Sequence, residues 1–102
     1  MKKTDKSANG TSYHGVNVLI RPYQLIQILG EPTHIDNTGI DKVNLEWVCE
    51  TENGDVFTIY DWKEYQPLDY KSEYEFHIGS LSEEISNKAK LELALSLMSH
   101  TF

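Results

Sequence analysis

Val43-Asn44-Leu45-Glu46-Trp47-Val48-Cys49-Glu50-Thr51, then Glu52-Asn53-Gly54-Asp55, then Val56-Phe57-Thr58-Ile59-Tyr60-Asp61-Trp62 is the stretch that decides the fold. β-branched and aromatic residues dominate both runs, and Asn-Gly between such runs favours a two-residue type I′ reversal. The segment therefore reads as a β-hairpin. With Asn53 and Gly54 as the loop, Glu52 opposes Asp55, Glu50 opposes Phe57, Val48 opposes Ile59 and Glu46 opposes Asp61. The other face then pairs Thr51 with Val56, Cys49 with Thr58, Trp47 with Tyr60 and Leu45 with Trp62.

Downstream, Tyr74, Phe76 and Ile78 alternate with Glu75 and His77, which predicts a third meander strand ending at Gly79. Ser80 with Glu83 three residues later has the form of a capping box, and helix formers run from there to about Ser99. Ile85, Ala89, Leu93 and Leu97 make one stripe, widened by Leu95 and Met98, so that helix is expected to pack on the sheet. Upstream, Val16, Val18 and Ile20 alternate within a strand over Tyr13 to Ile20, with Gly15 at a bend. Pro22 suits a first helical position, Leu25, Ile26 and Leu29 follow, and Gly30 belongs at a cap, giving a helix from Pro22 to Leu29. Pro32 and Asp36-Asn37-Thr38-Gly39 are turn chemistry. The expected fold is a single two-layer α+β domain over residues 13–102, in the order β-α-β-β-β-α, with the C-terminal helix on an antiparallel sheet. Residues 1–12 are polar and without periodicity, and read as a disordered arm.

The 102 residues suffice for one core and not two. A lone cysteine, Cys49, excludes an internal disulfide and fits a reducing compartment. There is no apolar leader at the start and no run of about 18 apolar residues, so a cytoplasmic protein without membrane contact is expected. Sixteen acids against nine bases give a net charge of −7. Ten of those acids and only three lysines lie between Asp41 and Glu75. Such a balance disfavours direct binding of nucleic-acid phosphates.

Two apolar hairpin faces in a small sheet imply either a second covering layer, a homodimer, or a surface that receives a partner. The partner-face reading uses Trp47, Tyr60 and Trp62 as anchors ringed by Glu46, Glu50, Asp61 and Glu64, because Trp and Tyr are enriched at binding hot spots. A small-ligand alternative stacks a planar base on Trp47, Tyr60 or Trp62, with Arg21, Lys63 and His77 at hand. Glu46 opposite Asp61 is the carboxylate pair that the register sets side by side within the strands, away from the loop. Two oxygens without a third make a poor metal site, and no nucleophile or histidine is fixed near them, so a solvated edge is favoured over a hydrolase. Cys49, mid-strand among apolar neighbours, reads as an inert thiol. The four histidines share no metal-ligand spacing, and no phosphate loop or nucleophile elbow is present. No cofactor, metal or catalytic residue is expected.

Val48-Cys49-Glu50-Thr51, Asp55 to Lys63 with its Phe57-Thr58-Ile59-Tyr60-Asp61-Trp62-Lys63 core, and Phe76-His77-Ile78-Gly79 resemble a group of small bacteriophage proteins of unassigned role. The resemblance implies a phage origin. The turn Leu29-Gly30-Glu31-Pro32 is also similar to the helix exit of β-lactamase-inhibitor-like and outer-membrane-assembly lipoprotein domains, although their signal peptide, lipobox and preceding helix are not expected for this protein.

The expected function is a non-enzymatic inhibitor or adaptor, in a phage context an anti-defence factor, that engages a basic host protein, of defence or nucleic-acid handling, in the host cytoplasm through an acidic, aromatic sheet face. A sponge for a nucleotide signal is the alternative, and a virion or structural oligomer the next.

Overall fold

The computed structural model describes residues 1–100. Its hairpin joins β4 (Leu45–Glu50) to β5 (Val56–Asp61), but the loop has three residues, not two. Thr51 and Asp55 close it through Thr51 N–H to the Asp55 carbonyl at 2.9 Å, and Gly54 N–H donates back to the Thr51 carbonyl at 2.8 Å. Gly54 has φ +87°, while Asn53 is absent from the positive-φ residues. A type I′ turn needs both in that region, whereas a type I turn followed by one left-handed glycine needs only the second. The Thr51 hydroxyl favours the wider loop by accepting from Asp55 N–H at 3.2 Å.

The extra loop residue moves every cross-strand partner by one. Glu46 opposes Tyr60, Trp47 opposes Ile59, Val48 opposes Thr58 and Cys49 opposes Phe57. The pairings expected from a two-residue loop, including Glu46 with Asp61 and Trp47 with Tyr60, are corrected accordingly. Since side chains alternate between faces, Glu46 and Asp61 lie on opposite sides of the sheet.

β6 (Tyr74–Ser80) pairs with β5, and β2 (Ser12–Ile20) pairs with β6, all antiparallel. On the other side of the sheet two short segments share the edge of β4. β1 (Lys2–Lys3) pairs with Glu50 and Cys49, and β3 (His34–Ile35) with Glu46 and Leu45. Between them, Val48 receives a bond from Thr4 N–H and donates to the Thr33 hydroxyl. The edge is thus covered along its length, which removes a template for aggregation. Residues 1–12, expected to be a disordered arm, therefore contribute a strand. Composition alone did not show that Lys2 and Lys6 reach the Glu50 carboxylate at 3.6 and 3.0 Å.

The two helices, α1 (Pro22–Leu29) and α2 (Glu83–Ser99), pack on the same face. Leu25 and Leu29 from the first and Ala89 and Leu93 from the second join Trp47, Phe57, Ile59, Phe76 and Ile78 in one core. α1 begins where expected, with Pro22 in its first turn and Arg21 N–H donating to Gln24 Oε1 at 3.0 Å. It ends at Gly30, φ +88°, whose carbonyl accepts the Trp47 indole N–H at 2.9 Å.

α2 is capped by Ser82, not Ser80. The Ser82 hydroxyl accepts from Ile85 N–H, and Glu83 and Glu84 suit the positive end of the helix dipole. Ser80 remains in β6 opposite Phe57, buried, with its hydroxyl 2.7 Å from that of Ser86. The buried line along α2 is Ser86, Ala89 and Leu93. Leu95 and Met98 consequently face solvent, 54 % and 83 % exposed, and do not widen the packing stripe.

Candidate functional site

The register assigns each side chain to a face. Cys49, Phe57 and Ser80 form one row beneath the helices, and Trp47, Ile59 and Ile78 another. The opposite face carries His34, Glu46, Tyr60, His77 and Asn17 in one row, and Val48, Thr58, Gly79 and Tyr13 in the next. Both helices are on the first face, so the second has no covering layer in the described chain.

Four rings gather on this bare face. Tyr13 stacks on His77 with centroids 4.0 Å apart and an angle of 13°. His77 lies 6.0 Å from Trp62, tilted by 27°, and Tyr60 meets both edge-on at 5.5 and 6.1 Å. The Tyr13 hydroxyl donates to Asn17 Oδ1 at 2.8 Å across the bulge in β2, fixing the ring's direction. Tyr13 and Trp62 remain 42 % and 40 % exposed. A shallow groove of about 260 Å³ passes Thr58, Tyr60, Trp62, Gly79 and Glu46.

The loops after β3 and β5 position the charges. Asn44, buried, donates its backbone N–H and its amide Nδ2 to the two oxygens of Asp61, each at 2.9 Å, and Leu45 N–H adds a bond of 2.8 Å. Asn44 Nδ2 also reaches the Gln66 carbonyl, and its Oδ1 accepts from Gly39 N–H. Asn37 exchanges two hydrogen bonds with Leu68. Lys63 N–H donates to the Lys42 carbonyl at 2.7 Å, which brings the two loops edge to edge. Both ammonium groups then flank Trp62, 5.9 Å (Lys42) and 5.6 Å (Lys63) from its ring centre. Lys63 and Tyr65 hold φ near +55°, a left-handed conformation that costs each about 1 kcal/mol.

Electrostatics on this face are mild. Burial, with a smaller upward pull from Glu46 and Tyr13, raises the Tyr60 phenol. Burial lowers His77, partly opposed by Glu75, so the imidazole is biased toward its neutral form. Glu46 sits 3.7 Å from His34.

Of the residues expected at the face, Tyr60, Trp62, Glu46, Lys63 and His77 come together there. Trp47 does not: it is fully buried under the helices, because the one-residue shift turns it inward. Asp61 is likewise fully buried, a core acceptor for three donors and not a surface acid. Glu50 is on the open side but engaged by Lys2, Lys6 and Thr4, and Glu64 lies in the loop after β5. Arg21 lies just before α1, its guanidinium 3.5 Å from Glu73. Tyr13 joined the cluster unforeseen. Its signal was partial: Tyr13 opened the first predicted strand, but its neighbour in space depends on β2 pairing with β6.

Cys49 is buried, and desolvation pushes its thiol up to about 12. Among the described residues no group of three or more His, Cys, Asp or Glu side chains is arranged to hold a metal, and no helix is long and apolar enough to cross a membrane. No family model, curated protein or solved structure matches the chain.

Proposed function

We propose that the chain is a non-enzymatic binding module that docks a partner protein on its bare aromatic face. The observation that carries the reading is the exposed ring cluster of Tyr13, His77, Trp62 and Tyr60 on a sheet whose two helices both lie on the other side. Exposed aromatic groups of this kind supply large contact area at low entropic cost, which is how a few residues come to dominate an interface. The net charge of −7 favours a partner with a basic surface by steering the encounter, with Glu46 and Glu75 at the face itself. An inhibitor or adaptor role of a phage-encoded protein fits this chemistry and the sequence resemblance.

The test is capture from lysate at low salt followed by titration of the recovered protein. We expect the Tyr13→Ala/Trp62→Ala variant to bind at least tenfold more weakly than wild type at unchanged fold, and wild-type affinity to fall steeply with salt. Equal affinity of the variant dismisses the face as the docking site.

The two lysines beside Trp62 favour a second reading, a small planar anion stacked on that ring. Saturable quenching of tryptophan fluorescence by a nucleotide, lost in the Trp62→Phe variant, would move the reading to this one.

A further inference from the structure

A second concentration of cations and rings lies away from the bare face, where β2 runs into α1. Arg21, Tyr23, Tyr70 and Lys71 line a cleft of about 570 Å³, well within the range of roughly 300 to 1,000 Å³ typical of small-molecule sites. Two hydrogen bonds to backbone carbonyls hold its walls together. Tyr23 N–H donates to the Tyr70 carbonyl at 3.0 Å, and Arg21 Nε donates to the Lys71 carbonyl at 3.1 Å. The terminal nitrogen Nη1 of the same guanidinium has Glu73 at 3.5 Å, with both side chains about 40 % exposed, a pair too long and too wet to hold the group strongly.

We propose that this cleft is a binding site for a small aromatic ring carrying one anionic group, phosphate monoester or carboxylate. Tyr70, held by packing against the core, offers a ring surface, and Tyr23 forms part of the wall. Arg21 offers a planar fork suited to either anion, and Lys71 a second, mobile positive charge. Charge sets the upper limit on the ligand. Glu73 lies beside Arg21 and Asp69 within reach of the Lys71 charge, and the chain as a whole is at −7, so di- and triphosphates are repelled and a ligand with one anionic group is the upper limit. The site is separate from the ring cluster of Tyr13 and Trp62 and does not rest on the docking role proposed for it.

The experiment follows backbone amide signals by NMR during titration with phenyl phosphate and with phenylacetate. Benzyl alcohol and inorganic phosphate report the ring and the anion alone. We expect saturable shifts confined to Tyr23, Tyr70, Lys71 and their neighbours with at least one anionic ring, and binding at least about tenfold tighter than either control. Comparison of the two anionic rings identifies which head group the cleft prefers. Arg21→Gln and Lys71→Gln, the latter at an exposed position, should each weaken binding severalfold with the spectrum otherwise retained. The proposal is overturned if neither anionic ring gives saturable shifts, if inorganic phosphate alone binds as tightly, or if both variants bind like wild type.

Discussion

Asp61 illustrates how one position can change its meaning between sequence and structure. In the sequence it is one more acid in an acidic hairpin, opposite Glu46. In the structure its carboxylate accepts from Asn44 N–H, Leu45 N–H and Asn44 Nδ2, with no exposed surface. Removing it strands two backbone donors and an amide in the core, each costing about 1–3 kcal/mol. Asp61→Ala should therefore destabilise the protein by about 3 kcal/mol or more in chemical denaturation. A loss below about 1 kcal/mol would show that water replaces the carboxylate and that the acid does not organise the loops around Trp62.

Elements here are coupled by close approach as much as by hydrogen bonds. Gly79 was expected to end a strand, yet it lies within β6, between Thr58 and Tyr13 on the bare face. A Cβ at that position would stand 2.7 Å from Thr58 Oγ1 and 3.5 Å from the Tyr60 ring. Thr58 is itself buried, so its side chain has little room to turn away. Gly79→Ala should cost about 1–3 kcal/mol, the usual range for overpacking, and Thr58→Ala in the same chain should recover much of it. Strictly additive losses in the double-mutant cycle would contradict the contact. The same crowding keeps β5 and β6 level, and with them the Tyr60 and His77 rings that make the candidate site.

Across the whole molecule, the segment before β2 acts as a strap on the far edge of the sheet, and its hold depends on pH. Glu50 sits below its ordinary value of 4.5, first because Lys6 hydrogen-bonds its carboxylate and then because Thr4 does. A carboxyl lowered in the folded state contributes stability that is complete above the unfolded value and lost as pH falls through the folded one. Acidification below about pH 4.5 should thus loosen residues 2–6 first, seen as faster hydrogen exchange at Thr4 N–H, which donates to the Val48 carbonyl. Lys6→Gln should flatten that dependence. Unchanged exchange between pH 5 and pH 3 would mean that backbone pairing alone holds the strap.

Local chemistry made much of the architecture legible. Pro22 and Gly30 bracketed the first helix, alternation marked the strands, and turn residues separated them, because caps, turns and periodicity act within a few residues of chain. Hence the α+β class, the antiparallel sheet and the helix packed on it followed from the residues alone. The tertiary structure decided the register and the faces. Asn53-Gly54 is compatible with two loop lengths, and the Thr51 hydroxyl together with the burial of Trp47, Phe57 and Ile59 selects the longer. With a side-chain period of two, that single residue put Trp47 and Asp61 on the same buried face and separated Trp47 from Tyr60, while the pairing of β2 with β6 brought Tyr13 onto His77, a long-range contact that no local pattern encodes.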